Sequence, residues 1–217
     1  MRALLRRIRA GRRRKRDHEL SFWRGRFEAE GRLANAQFER FFTEQFGLDR
    51  DVFAGKRMLD IGCGPRGSLE WATMAAERVG VDPLVGDYRA LGIDEHAMTY
   101  VEAGAERLPF PDASFDVVSC FNALDHVDDV TAAIGEITRV ARPGAICLLL
   151  VEVEHEPTVT EPQSLSWDVL DGFRGWTVLG ERRLALDAGH DIYGSWLRGR
   201  RYERGPGLLE ARLERRP

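Results

Sequence analysis

Cysteine is scarce in this chain. Cys63, Cys120 and Cys147 are the only three in 217 residues, far apart and without a C-x-x-C pair. That argues against a disulfide framework and a structural zinc site, and leads us to expect a reducing, cytoplasmic setting. Long apolar runs are missing too: none reaches the roughly 18 residues of a membrane-spanning helix. The longest, Ala145 to Val153, is interrupted by Glu152 and suits a buried strand. Lysine occurs only at Lys15 and Lys56, and there is no Tyr-x-x-x-Lys pair such as a hydride-transfer site would use. Hydrophobic residues still make up 43% of the chain. That excludes wholesale disorder and, at this length, allows one domain with a buried core and no covalent staples.

Acidic residues are absent from one stretch. Positions 2 to 16 hold nine basic groups (Arg2, Arg6, Arg7, Arg9, Arg12, Arg13, Arg14, Lys15 and Arg16), leaving 23 basic against 35 acidic residues, a net charge of -12. The overall value of -3 therefore combines a basic arm with an acidic body. Such an arm suits nucleic acid or an anionic membrane surface, or is a solvated terminus. The acidic body argues against the nucleic-acid use. We take residues 1–19 as this arm, mobile or helical, and 20–217 as a single domain.

From Leu20 to Phe46, Phe22, Trp23, Phe27, Leu33, Phe38, Phe41, Phe42 and Phe46 recur at three- and four-residue steps, which predicts a helix or helix pair over a sheet, or a lid over a pocket. Residues 20–54 are thus a helical cap. Strands are expected at Arg57–Ile61, Val79–Val81, Met98–Glu102, Phe115–Phe121 and Ala145–Val153. Helices are expected at Ser68–Ala76, near Asp87–Gly92 and at Val130–Val140, with Arg142-Pro143-Gly144 as a turn. Alternation of this kind predicts a parallel sheet covered on both faces. In the tail, a helix around Ser166–Phe173 precedes two β-like stretches, Thr177–Leu186 and Asp191–Tyr202, joined closely enough to pair antiparallel.

In such a sheet, ligands bind at the carboxyl ends of the strands where the order reverses. Asp60-Ile61-Gly62-Cys63-Gly64-Pro65-Arg66-Gly67 ends the first strand in a glycine-rich turn, and Asp82 ends the second. A carboxylate at Asp82 can accept hydrogen bonds from both ribose hydroxyls of a nucleoside. This spacing fits a nicotinamide dinucleotide as well as a nucleoside sulfonium. Against the dinucleotide stand Asp60, where such sites usually have an apolar residue, and the missing hydride-transfer pair. The segment Gly104-Ala105-Glu106-Arg107-Leu108-Pro109-Phe110 through Phe115-Asp116-Val117-Val118 adds specificity.

With that segment, the chain resembles the class I methyltransferases that use S-adenosylmethionine, in particular the small "type 11" group, over roughly Arg57 to Val153. The resemblance implies a Rossmann-like, doubly wound α/β fold: a mostly parallel seven-stranded sheet with an antiparallel last strand and helices on both faces. It implies that Asp60, Gly62, Cys63 and Gly64 pack against the methionine and ribose parts of the cofactor and that Asp82 holds the ribose. Pro83 and Leu84 would lie beside the adenine, Ala105 and Glu106 would flank it, and Phe121, Asn122 and Ala123 would line the methionine end. Pro65-Arg66 departs from the pattern, and Arg66 is expected to point to solvent. Residues 55–153 are then the cofactor-binding core and 154–217 the acceptor side.

Methyl transfer from a sulfonium is an in-line displacement, so the protein must align the acceptor and, for a hydroxyl, remove its proton. His126, in Asn122-Ala123-Leu124-Asp125-His126 after the fourth strand, is the candidate base, with Asp125 assisting; packing under the next helix is its structural alternative. After the fifth strand, Glu152, Glu154, His155 and Glu161 could bind a polar substrate, supply a base or hold a divalent ion. Strand alternation puts Glu152 and Glu154 on one face. No residue is assigned as a metal ligand, and His190 is a further pocket candidate. The leading reading is transfer of a methyl group to oxygen or nitrogen of a small polar acceptor, a sugar or secondary metabolite. The alternatives are an RNA methyltransferase using the basic arm and a cofactor-binding homologue without catalysis. Oligomeric state is open.

Overall fold

The computed structural model describes residues 2–217, with side chains from residue 13 onward. The side chains of Arg2, Arg6, Arg7, Arg9 and Arg12, on which the expected electrostatic arm largely rests, lie outside the described residues. α1 (Arg2–Glu30) runs without a break through the expected boundary between residues 19 and 20. Its later turns are amphipathic: Leu20, Trp23 and Phe27 pack on Leu84, Val85 and Tyr88. The basic segment is therefore one end of a helix whose other end is seated on the domain. Among the described residues no helix is long and apolar enough to cross a membrane.

Seven strands form one sheet: β1 (Arg57–Ile61), β2 (Glu77–Asp82), β3 (Thr99–Glu102), β4 (Phe115–Phe121), β5 (Ala141–Val153), β6 (Trp176–Ala185) and β7 (Gly207–Arg215). Their order is β3-β2-β1-β4-β5-β7-β6. β1 to β5 are parallel, and β7 inserts antiparallel between β5 and β6. Strand order reverses between β1 and β4, which opens the crevice beyond their carboxyl ends. Alternation along the strands divides the core in two. Leu59, Ile61, Val118, Cys120, Val151 and Val153 face α4 (Val130–Val140) through Ile134 and Ile137. Met58, Val117, Phe121, Leu148 and Leu150 face α2 (Phe38–Phe42), the 3-10 turn after it and α5 (Ile192–Arg198) through Phe42, Phe46 and Trp196.

Several expectations are corrected. No helix forms at Ser68–Ala76. The connection from β1 to β2 is a string of tight turns, with Glu70 N–H donating to Gly67 O, Ala72 to Leu69 O and Ala75 to Ala72 O. Ser68 is pulled inward by Asp60, and Leu69 and Ala72 are fully buried three residues apart, a spacing that suits three-residue turns. Asp191–Tyr202 is not a strand. Asp191 caps α5 by accepting from Gly194 N–H at 3.0 Å, Ile192, Ser195 and Trp196 are buried on one face, and Gly199 closes the helix at φ 62°. The last strand lies further on, at β7. Arg142, Pro143 and Gly144 belong to β5, where the pairing with β4 shifts between Phe115 and Val117. Ser166–Phe173 holds a 3-10 helix, Trp167–Gly172. α3 (Val85–Tyr88) and a 3-10 turn (Arg89–Leu91) occupy the region expected as one short helix.

Candidate functional site

Asp60 sits in β1 with its side chain buried, accepting hydrogen bonds from Ser119 Oγ at 2.6 Å and from Ser68 Oγ. Burial pushes its pKa up to about 6, against the opposing pull of those two hydroxyls. Gly62 has φ 69°, and a Cβ added there would lie 2.3 Å from the Ala123 methyl. Gly64, at φ 56°, packs against Trp23, whose ring would lie 3.1 Å from a Cβ. The turn is thus held between the end of β4 on one side and α1 on the other, and only glycine fits. Cys63 packs inward over Gly80, and burial pushes its thiol pKa well up.

Asp82, at the end of β2, accepts from Gly64 N–H at 3.2 Å and from Leu84 N–H at 2.9 Å. Burial raises it to about 6 despite these bonds. Gly62, Gly64 and Asp82 therefore form one connected rim, with Leu84 buried and Pro83 exposed beside it. Ala105 is half-buried against the core, while Glu106 turns to accept from Asp128 N–H at 2.7 Å and Asp129 N–H at 3.4 Å. Phe121 is buried in the core, stacked on Phe46 with ring centres 5.8 Å apart, whereas Asn122 and Ala123 stand at the strand end facing the glycine turn. Asn122 takes φ 51° and its Oδ1 is buried without a hydrogen-bond partner among the described residues. Such strain in a non-glycine residue concentrates at binding sites.

Arg66 does not point to solvent. It forms two parallel hydrogen bonds to Glu30, at 2.8 and 2.7 Å, donates to Ala34 O at 2.8 Å, and stacks over Trp23 at 5.6 Å.

On the acceptor side, Asp125 is fully buried and neither carboxylate oxygen has a hydrogen-bond partner among the described residues. Burial raises its pKa, with His126 and His155 pulling the other way. His126 Nδ1 lies 2.9 Å from Glu19 Oε1 of α1, and its Nε2 lies 3.8 Å from Glu161 Oε1. Burial lowers the His126 pKa, but Glu19, Asp125 and Glu161 outweigh it and the net shift is upward. Lys15 donates to the His126 carbonyl, and burial lowers the Lys15 pKa. His155 is buried with Nδ1 3.0 Å from Glu156 O and Nε2 3.8 Å from Asp125 Oδ2.

The segment after β5 folds back over this pocket. Gln163 N–H donates to Asp125 O at 3.2 Å, and Gln163 Nε2 donates to Val127 O at 3.1 Å. That return brings Glu161 inward, while Glu152 faces the same pocket from within β5, 1% exposed. Glu154 does not share that face: β5 ends at Val153, and Glu154, at φ 59°, turns into solvent. His190, exposed on the loop before α5, completes the ring with Nε2 3.2 Å from Glu152 Oε2 and 3.6 Å from Glu161 Oε1. Glu19 and Lys15 were not foreseen as site residues. Their contact with His126 spans most of the core and leaves no local signal beyond Glu19's place on the α1 face that carries Trp23.

A doubly wound sheet, a glycine turn and a buried acid at the end of β2 define an α/β protein with a crevice where the strand order reverses and an adjoining cluster of buried polar groups. A family model described as a methyltransferase domain matches residues 59–149. Residues 59–149 thus match a methyltransferase domain, and the fold around them is one shared with S-adenosylmethionine dependent methyltransferases. It is 29% identical over 153 residues to a demethylmenaquinone methyltransferase of Thermobifida fusca, covering 68% of this chain and 64% of that protein. To a ubiquinone biosynthesis O-methyltransferase of Hahella chejuensis it is 39% identical over 116 residues, 45% of this chain and 43% of the relative. It thus spans less than two thirds of the length of these curated relatives. Among solved structures it resembles the YcgJ protein of Bacillus subtilis, with TM-score 0.58, 19% identity and coverage of 80% of this chain and 99% of that one. A S-adenosylmethionine dependent methyltransferase of Mesorhizobium loti gives TM-score 0.57 at 18% identity, covering 75% and 92%. At those identities the likeness concerns the fold.

Proposed function

We propose that this protein transfers a methyl group from S-adenosylmethionine to an oxygen or nitrogen of a small polar acceptor. The crevice suits the cofactor: Asp82 offers a carboxylate to the ribose hydroxyls, the glycine turn lets backbone approach closely, and Asn122, next to the Ala123 that packs on Gly62, has a buried Oδ1 without a hydrogen-bond partner among the described residues. Asp60, Gly62, Cys63, Gly64, Leu84, Ala105 and Ala123 would complete that wall. Bound there, the cofactor supplies an electrophilic methyl group.

The observation that carries the acceptor class is that many of the buried polar atoms with no hydrogen-bond partner among the described residues gather here: both Asp125 oxygens, His126 Nε2, Glu152 Oε2, His155 Nε2 and Glu19 Oε1. Leaving a buried polar group unpaired costs about 1–3 kcal/mol, so a pocket with several is built for a partner rich in hydrogen-bonding groups. A long apolar acceptor would leave them all unsatisfied. His126 is the base in this reading, with Glu19 2.9 Å from its Nδ1 and Nε2 left for the acceptor. Asp125 orients the acceptor.

The test is a panel of hydroxylated and amino small molecules incubated with methyl-labelled S-adenosylmethionine. Labelled product from a polar member, lost in His126→Ala with cofactor binding unchanged by calorimetry, supports the reading. Absence of cofactor binding overturns it, and label entering RNA alone would favour the nucleic-acid alternative.

A further inference from the structure

We propose that Glu152, Glu161 and His190 form a binding site for a divalent transition-metal ion beside the acceptor pocket. The three residues come from β5, from the returning segment after it, and from the loop before α5. Their donor atoms nevertheless converge: one from each lies within 4.8 Å of the others. Ligands about 2.0–2.2 Å from one ion in tetrahedral geometry stand roughly 3.3–3.6 Å apart. The spacings here are 3.2 Å for His190 Nε2 to Glu152 Oε2 and 3.6 Å for His190 Nε2 to Glu161 Oε1.

Burial supplies an independent reason. Glu152 is 1% exposed, and its Oε2 makes no hydrogen bond among the described residues although a histidine nitrogen lies 3.2 Å away. The two atoms are close without meeting the geometry of a donor and an acceptor. Asp125, whose oxygens also make no hydrogen bond among the described residues, groups with Glu161 and His126. Two carboxylates that converge with an imidazole around a buried, unpartnered Glu152 oxygen call for a cation.

One imidazole and two carboxylates suit Zn²⁺, Mn²⁺ or Fe²⁺ better than Ca²⁺, which takes oxygen ligands alone. The half-exposed His190 side leaves coordination positions open to solvent or to an acceptor oxygen. His126 is not required as a ligand, so the site and the proposed base are compatible. The ion site shares Glu152 with the polar pocket proposed for the acceptor, but its test does not depend on methyl transfer.

Full-length protein is stripped with a chelator and titrated with Co²⁺ at neutral pH, following the visible absorption bands, with Zn²⁺ as competitor. Saturation at one equivalent is expected, displaced by Zn²⁺. His190→Ala, on an exposed loop, and Glu161→Gln should each weaken binding by about tenfold or more, scaled from losses seen when metal-site residues are removed. S-adenosylmethionine binding, measured by calorimetry on the same samples, should be unchanged. The proposal is overturned if the wild type takes up neither ion. It is equally overturned if both variants bind like the wild type. Metal uptake without cofactor binding would sink the methyl-transfer reading and leave the ion site standing.

Discussion

Arg66 and Glu30 form a two-pronged ion pair, at 2.8 and 2.7 Å, that fastens the glycine turn after β1 to the end of α1. The Arg66 bond holds the Glu30 carboxyl at about 2. Its folded value is depressed below the unfolded one, so the pair's stabilisation is present above about pH 4.3 and is lost as pH falls toward 2. Trp23 lies against Arg66 and reports on the junction. In acid titrations its fluorescence should change in that window. Glu30→Gln should show the low-pH signal already at neutral pH, whereas an unchanged titration would separate Trp23 from the pair.

Asp60 behaves in the opposite sense. Its pKa is raised to about 6 by burial, so the folded state binds its proton more tightly than the unfolded chain does. The contribution is favourable below about pH 4 and lost as pH rises through about 6, a change on the order of 3 kcal/mol. Thermal melts of Asp60→Asn should therefore show a flatter pH dependence across that range, with no loss of Tm at neutral pH. A large drop in Tm at neutral pH would mean that the ionised carboxylate is needed by Ser68 and Ser119.

Glu19 tunes His126 from another element. Removing its charge takes away the largest influence that raises the His126 pKa. NMR titration of the imidazole should give a lower value in Glu19→Gln than in the wild type. Any acceptor-dependent turnover that needs neutral His126 would then extend to lower pH. An unmoved titration would show that Asp125 and Glu161 dominate.

Gly62 admits no side chain. In Gly62→Ala the methyl would meet Ala123 at 2.3 Å and the backbone would keep φ near 69°. The left-handed conformation alone costs about 1–3 kcal/mol, and relief of the clash must move the end of β4. Denaturant unfolding should report at least that loss, and cofactor affinity should fall with it. Asp82→Ala leaves the fold largely intact and should weaken cofactor binding by about tenfold or more, an effect of roughly 1.4 kcal/mol.

Much of this arrangement was legible in the chain. Phe115–Phe121 and Val130–Val140 coincide with β4 and α4, because one is a bounded apolar run and the other an amphipathic repeat behind the cap Asp129, whose side chain accepts from Ala132 N–H at 3.0 Å. Asp60, Gly62 and Asp82 could be located because strand ends in such a sheet gather at one edge. Three things were not legible. Turns replace a helix after Gly67, because Ser68 bonds inward to Asp60 across the turn and no local propensity records that. The Asp191 cap and Gly199 stop of α5 were present in the sequence but outweighed by aromatic and β-branched content. Glu19 reaches His126 only through a tertiary contact, where sequence separation hides it, whereas His190 stood out in the chain as a candidate and does meet Glu152.

The turns between β1 and β2 leave that stretch of sheet without a helix of its own. The covering is borrowed from upstream: Phe42, Phe46 and Phe53 close over Met58, Leu69, Ala72 and Phe121. A fragment beginning at Arg57 would keep every residue matched to the methyltransferase domain and still expose this aromatic seam. In this protein the cofactor-binding unit does not begin where its motif begins. The residues that make the motif a folded object are spelled out before it.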